Sequence, residues 1–472
     1  MKRTKFFSCL FTAALMLLTF SAIAFAGDAA PAPGDNSKAI ITLVILVIAG
    51  VLFVTEAVPL PITAMIVPVA LAVTGVLTGR EAFREFGNDT VILFMAMFVV
   101  GESIFKTGFA DKIGQFTVNV SKGSETKLLL MIVLVVGVMS GFLSNTGTVA
   151  VMMPMVIAMC KAMNMAPSKL LLPCAFASSM GGMITLIGTP PNGSAKAEIA
   201  KYVGTNPLIH ELTFFEFAKF GVPFLAIGLI YYAFIGRKFL IDTSKRADAN
   251  VDISDAEGAA AKEAAKARRR PEKMNLSVGI FILTVVLMVL GDFKILPFPM
   301  TLHVAAMLGV CLIVCTKTLT MKETFESVDY TTIWLFAGML SMSTAMDKSG
   351  AAKLLAENIT TISDNPIIIL AVICLLTQVL TNLMSNTATA ALMCPIASAM
   401  ATGMGLSIMP FVMAVGFSAS CCFLTPIATP PNTIIFGPGK YTFVDYAKIG
   451  WPIQVIGFIM CVAFIPILWP MR

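Results

Sequence analysis

Apolar positions run along this chain in blocks rather than in alternation, and most blocks approach the ~20 residues a helix needs to cross a bilayer. Blocks at about 39–55, 60–78, 90–106, 170–187, 216–236, 276–290, 297–316, 331–346, 409–426 and 449–469 predict membrane helices. Two further apolar regions, 128–163 and 366–402, are interrupted at their centres by the same polar triplet. It is Ser144-Asn145-Thr146 in "GFLSNTGTVAVMMPMV" and Ser385-Asn386-Thr387 in "NLMSNTATAALMCPIA".

The interruptions belong to a longer repetition. Glu81, Phe83, Thr90, Leu93, Phe94, Lys106, Gly108 and Ala110 recur 242 positions later as Glu323, Phe325, Thr332, Leu335, Phe336, Lys348, Gly350 and Ala352. The triplet recurs at 241 and "TPPN" (Thr189–Asn192, Thr429–Asn432) at 240. One nearly constant register over so long a stretch indicates an internal duplication. If each interrupted region enters and leaves by one face, a repeat crosses the membrane an odd number of times and the second copy is inverted. The first repeat is then 39–236, with a hairpin at 128–163 and a broken helix at 170–203. The second is 276–472, with a hairpin at 366–402 and a broken helix at 409–439. Between them, 237–275 is rich in both Lys/Arg and Asp/Glu and reads as a solvated cytoplasmic linker, because that placement puts the excess of basic residues inside. Arg268, Arg269 and Arg270 are topology anchors on this reading, and the C-terminus lies outside.

Residues 1–38 pair Lys2, Arg3 and Lys5 with an apolar run ending in Ala24-Phe25-Ala26, which fits either a cleaved signal peptide or a first transmembrane helix followed by an external segment. Composition agrees with the helices: 57% of the 472 residues are hydrophobic and only 13% charged, so this is an integral membrane protein. The ten Cys have no metal-ligand spacing and read as small buried hydrophobes, and the two His stand far apart. No nucleophile elbow, zinc motif or phosphate loop is present, so enzyme chemistry, resident cofactors and nucleic-acid partners find no foothold.

In hydrocarbon, helix-breaking polar sequence survives only where protein or a water-filled cavity surrounds it. Ser, Asn and Thr are favoured N-caps, which places each triplet at the tip of a re-entrant hairpin, the two tips meeting at the midplane from opposite faces. In "IGTPPNGSA" and "IATPPNTII", Gly188 or Ala428 ends one half-helix, Thr189 or Thr429 caps the next, and proline fills its first turn. Unwound carbonyls suit a cation, whereas helix N-termini suit an anion. No Lys or Arg lies in the triplets or breaks, so a dianion bound there needs bound cations to neutralise it. Oxygen ligands favour sodium, with protons as the alternative. A single mid-membrane triplet is explained equally well as packing glue; its duplication in register with the breaks favours function.

Paired triplets, paired breaks, "WLFAGMLSMSTAMDKSG", "FVTEAVPLPITAMIVPV" and "SASCCFLTPIATPPN" together resemble the divalent anion:sodium symporter family over nearly the whole chain. The resemblance implies an all-α polytopic fold of two inverted repeats, each with a re-entrant hairpin and a broken helix, working as an elevator-type homodimer in the bacterial inner membrane, with lipid around it. It implies that Ser144, Asn145, Thr146, Ser385, Asn386, Thr387, Thr429 and Pro430 bind a dicarboxylate. It further implies one sodium site from Ser140, Ser144, Asn145 and the Gly188 carbonyl, and another from Thr381, Ser385, Asn386 and the Ala428 carbonyl. The expected activity is sodium-coupled import of succinate, malate or fumarate. The alternatives are sodium-independent dicarboxylate exchange, a sulfate or tricarboxylate carrier and, from another class, an anion channel.

Overall fold

The computed structural model describes residues 36–121, 124–244, 270–354 and 365–472; the N-terminal apolar segment and most of the linker lie outside the described residues. Within them the chain is helical and forms no β-strand, only an isolated bridge between Val203 and Asn206. The first half runs through α1 (Ser37–Thr55), α2 (Leu60–Val73), α3 (Gly79–Ala82), α4 (Asp89–Lys106) and α5 (Phe109–Ser121). It continues through α6 (Glu125–Phe142), α7 (Asn145–Ala162), α8 (Ser168–Gly182), α9 (Pro190–Ala200) and α10 (Ala218–Phe234). The second half runs through α11 (Met274–Asp292), α12 (Leu302–Cys315), α13 (Met321–Glu326), α14 (Tyr330–Ser349) and α15 (Pro366–Leu383). It ends with α16 (Asn386–Gly403), α17 (Ile408–Ser420), α18 (Pro430–Phe436) and α19 (Phe443–Leu468).

Local chemistry sets the boundaries. α2 stops at Val73 instead of the expected 78 because Thr74 bonds back to Ala70 and Gly75 turns left-handed at φ 71°. α12 waits until Leu302 because Pro297 and Pro299 lack the N–H groups a helix needs, and Thr301 takes the N-cap position. Capping boxes open α3 (Thr78 with Glu81) and α13 (Thr320 with Glu323) at the same register in the two halves. Among the described residues, five helices are long and apolar enough to cross a membrane: α1, α6, α11 with its preceding 3₁₀ turn, α15 and α19, with mean hydropathy from 1.9 to 2.6.

Packing interleaves the halves. α14 lies on α2, α9 packs against α16 and α17, and α18 packs against α7 and α8, so each short half-helix is buried on the opposite half. Equivalent residues meet: the Phe94 and Phe336 rings stand edge to face, 5.1 Å between centroids and 88° apart. Gly193 of α9 sits under both, where a Cβ would strike either ring. Glu81 is ion-paired with Lys348 across the halves, and Lys348 with the Thr78 cap holds its carboxyl down at about 2. The register would pair Glu323 with Lys106. Instead Arg270, at the end of the linker, donates its backbone N–H to the Lys106 carbonyl (3.1 Å) and its guanidinium to Glu323 (3.0 and 3.3 Å).

Seven of the nine described cysteines are buried as expected, but Cys311 and Cys315 are exposed on α12. They stand four residues apart and share a face of that helix turned away from the packed core.

Candidate functional site

At each triplet a helix stops, one residue is extended, and a new helix starts. Leu143 (φ −122°, ψ 161°) and Met384 (φ −138°, ψ 174°) break α6 and α15. Ser144 then caps α7, its Oγ accepting from the Gly147 N–H at 3.1 Å, and Ser385 caps α16 by accepting from Ala388 at 3.3 Å. Asn145, Thr146, Asn386 and Thr387 therefore occupy first-turn positions, where N–H groups have no partner in the preceding turn. Asn145, Asn386 and Thr387 are buried, whereas Ser144, Thr146 and Ser385 are half-buried.

The breaks are longer than the sequence predicts. Gly188 and Ala428 do not end half-helices: α8 ends at Gly182 and α17 at Ser420, and the chain is irregular from there to Thr189 and Thr429. Hydropathy misses this because Met183–Ile187 and Cys421–Ile427 are mostly apolar. Thr189 and Thr429 do precede α9 and α18, whose first turns are proline, but neither side chain caps the helix. Thr189 Oγ1 is buried without a hydrogen-bond partner. Thr429 is buried and Pro430 exposed.

What holds the irregular stretches is a pair of asparagines to which the sequence reading assigned no role. Asn192 Nδ2 donates to the carbonyls of Gly182 (3.1 Å) and Thr185 (2.7 Å). Asn432 Nδ2 donates to those of Cys422 (2.9 Å) and Thr425 (3.0 Å), the same two positions 240 residues on. Both amide oxygens, Asn192 Oδ1 and Asn432 Oδ1, are buried without a partner. The repeated fourth letter of "TPPN" was the available signal.

Tip and break meet in each half. One end of the Asn145 amide lies 3.0 Å from the Ser178 carbonyl oxygen and 3.1 Å from that of Gly188, and contacts the Ser140 hydroxyl. Turned nitrogen-first, the amide donates to both carbonyls; turned oxygen-first, it adds a fourth oxygen beside the two carbonyls and the Ser140 hydroxyl, donor atoms of the kind that suit a hard cation. The approach depends on glycine: a Cβ on Gly182 would lie 2.6 Å from Asn145 Oδ1, and one on Gly188 would lie 2.9 Å from Gly182 Cα. In the second half the Asn386 N–H donates to the Ala428 carbonyl at 3.2 Å, Thr381 Oγ1 to Ala419 at 2.5 Å, and Thr387 Oγ1 to Asn386 Oδ1 at 3.3 Å. The structure thus brings Ser140, Asn145 and Gly188 together, and links Asn386 with Thr387 and Ala428, whereas the Thr381 hydroxyl bonds to α17 at Ala419 instead.

A buried charged cluster also escaped the sequence reading, although ionisable residues inside an apolar region are a functional signal in themselves. Glu198 of α9 is fully buried; its Oε1 accepts from Ser343 of α14 (2.8 Å) and Ser398 of α16 (2.5 Å), and its Oε2 is 3.5 Å from Lys201 Nζ. Just past the end of α9, Lys201 donates to the Leu340 carbonyl (2.9 Å) and Tyr202 to Asp347 (2.7 Å), so Glu198 and the two residues after the helix fasten it to α14 three times. The other face of α9, with Lys196, lines a cavity of about 1190 Å³ walled by Asp89, Glu211 and the loop Gly291–Leu302. That loop is at the end of α11 remote from the linker, and no triplet residue lines the cavity.

Known proteins agree with this architecture. The chain is similar to an uncharacterized transporter of Escherichia coli K12, YfbS, at 25% identity over 92% of this chain and 100% of that one. It is also similar to the sodium-dependent dicarboxylate transporter SdcS of Staphylococcus aureus, at 26% identity over 92% and 86% respectively. Among solved structures it resembles the Alcanivorax borkumensis YdaH transporter (TM-score 0.56, 14% identity, 91% of this chain and 98% of that one). MtrF of Neisseria gonorrhoeae fits as well (TM-score 0.56, 13% identity, 95% and 97%). These two likenesses concern the fold alone. The profile of the citrate transporter family, CitMHS, matches residues 50–406 and 294–472, and the chain belongs to that family: it is a multi-pass secondary transporter of the divalent anion:sodium symporter type and not an enzyme.

Proposed function

We propose that this protein is a sodium-coupled symporter that imports four-carbon dicarboxylates such as succinate, malate or fumarate. The reading rests chiefly on one observation: at the same register in both halves, the asparagine that follows a serine N-cap meets the carbonyl that precedes the Thr-Pro-Pro break, through its side-chain amide at Asn145 and its backbone N–H at Asn386. Such a junction offers oxygens to a cation on one side and first-turn N–H groups to a carboxylate on the other. Ser140, Ser144, Asn145 and the Gly188 carbonyl would hold one sodium ion. Thr381, Ser385, Asn386 and the Ala428 carbonyl would hold another. One substrate carboxylate then sits against Ser144, Asn145 and Thr146, and the other against Ser385, Asn386 and Thr387, with Thr429 and Pro430 beside them. The printed name of SdcS, sodium-dependent and dicarboxylate, supports the same pairing of ion and substrate.

The hairpins α6–α7 and α15–α16, with the broken helices α8–α9 and α17–α18, form the moving part on this reading. α1, α2, α4, α11, α12 and α14 form the stationary part and the contact of a homodimer in the bacterial inner membrane. The linker is cytoplasmic, the C-terminus is external, and the cavity beside Lys196 opens outward.

Uptake of labelled succinate into proteoliposomes tests the reading, with an inward sodium gradient, with potassium replacing sodium, and with unlabelled dicarboxylate preloaded. The expected result is accumulation that requires external sodium and falls at least ~100-fold in Asn145→Ala and Asn386→Ala, about two to three lost polar contacts each. Uptake that ignores sodium and requires internal dicarboxylate makes the protein an exchanger and removes both sodium sites.

A further inference from the structure

The two junctions share a plan but differ in what stands behind them. Behind the first, Gly137 and Gly141 of α6 pack directly against α8: a Cβ on Gly181 would run into the Gly137 backbone, and one on Gly141 would lie 3.2 Å from the Gly181 carbonyl. Leu225 of α10 closes the gap, 2.7 Å from the position of a Gly137 Cβ. At the 241 register those glycines become Gln378 and Asn382 of α15. Gly221 of α10 abuts the Met183 carbonyl, and Gly450 of α19 abuts that of Phe423, 240 residues on, which aligns Leu225 with Gln454. An apolar, close-packed trio in one half is an amide trio in the other.

The three amides are buried and bonded in a chain that ends on the break. Gln454 Nε2 donates to Gln378 Oε1 (2.9 Å) and to the Cys421 carbonyl (2.8 Å), while its Oε1 accepts from the Phe423 N–H (3.2 Å). Asn382 Oδ1 accepts from the Leu424 N–H (2.9 Å), its Nδ2 donates to the Gln378 carbonyl (2.7 Å), and its own carbonyl accepts from Thr425 Oγ1 (2.7 Å). Together they satisfy backbone groups at Cys421, Phe423 and Leu424 that the broken helix leaves without a ladder. In the first half the equivalent N–H groups are served by the helix's own backbone, Met183 donating to the Met180 carbonyl (3.3 Å) and Ile184 to that of Gly181 (2.9 Å). Gln378 Nε2 remains buried without a partner, so the relay is not fully satisfied in this state.

We propose that Gln378, Asn382 and Gln454 are positioning residues that set the course of Cys421–Ala428, and through the Ala428 carbonyl the sodium affinity of the second junction. The first junction, packed glycine on backbone, is the rigid one. The inference rests on the symporter reading.

The test is succinate uptake into proteoliposomes as sodium chloride replaces potassium chloride, for the unaltered protein, Gln454→Leu, and Gln378→Gly/Gln454→Leu, which gives two of the three positions their first-half residues. Gln454→Leu is expected to raise the sodium concentration for half-maximal uptake about ten-fold, the worth of one or two hydrogen bonds, with the succinate KM at saturating sodium unchanged. The double variant is expected to keep the melting temperature of the unaltered protein and still show the sodium shift, which a merely structural role would not produce. A stable double variant with unaltered sodium dependence overturns the inference, as does a parallel change in the sodium and succinate constants. Sodium-independent uptake by the unaltered protein is a separate outcome: it removes the coupling reading, and this inference with it.

Discussion

Glycine decides how closely tip and break approach. At Gly188 an added methyl would press on Gly182 Cα at 2.9 Å and on the Gly141 carbonyl at 3.0 Å, both backbone atoms that cannot swing aside. At Gly279 of α11 nothing lies within 4 Å. Gly188→Ala is therefore expected to destabilise by about 1–3 kcal/mol, the usual cost of overpacking, and to abolish sodium-dependent uptake. Gly279→Ala should be neutral or slightly stabilising, because alanine is the better helix former. Thermal unfolding in detergent with uptake in parallel checks both; equal behaviour of the two variants would refute a glycine-dependent junction. The triplets were legible from sequence because Ser144 and Ser385 are strong N-caps set in apolar surroundings. Asn192 and Asn432 were written there too, but their role depends on carbonyls brought within reach only once α8 and α17 have ended.

Among the elements, α9 carries the strongest local conflict. It buries the Glu198 carboxylate beside Phe336, Met339 and Leu340, with the half-buried ammonium group of Lys201, the residue just past the helix end, 3.5 Å away. Removing one partner of such a pair strands the other: Lys201→Met is expected to cost about 3–5 kcal/mol. The double variant Glu198→Gln/Lys201→Met should recover most of it, since the glutamine can still accept from Ser343 and Ser398. A double-mutant cycle on melting temperature measures the coupling, and additive losses would mean the two charges do not interact. Two helix starts were read from their caps, Ser144 and Ser385; Thr78, Asn88 and Thr320 cap in the same way but were not singled out, since no apolar break marks them. Helix ends inside apolar sequence were not readable, because hydropathy is silent on whether Met183–Ile187 is helical or irregular; tertiary contacts of its carbonyls decide that. The charges of α9 could be seen but not placed, for their partners Ser343 and Ser398 come from the other half.

For the whole molecule, the duplication in sequence is answered by matching element order: the opening helices α1 and α11 both have 19 residues, α2 and α12 both 14, and α7 and α16 both 18. The halves nevertheless do not stand side by side. α9 and α18 are each buried on the opposite half, Phe94 rests on Phe336, and a Cβ on Gly338 of α14 would collide with the Ala64 carbonyl of α2. Interleaving of this kind means that neither half can bury its half-helix alone, while the contacts between halves among the described residues are non-covalent. Chain cleavage within residues 245–269 is therefore expected to be tolerated, provided Arg270 stays with the second half and keeps its bonds to the Lys106 carbonyl and Glu323. Co-expressed segments 1–250 and 260–472, tagged on one only, should co-purify and retain sodium-dependent succinate uptake. Either segment alone should fail to accumulate, because α9 or α18 would present a polar, half-satisfied surface to lipid. Stable accumulation of a lone half would show the two repeats to be separate folding units and would contradict the interleaved arrangement. Co-purification without uptake would locate a functional need for the intact linker, which the packing between the halves does not predict.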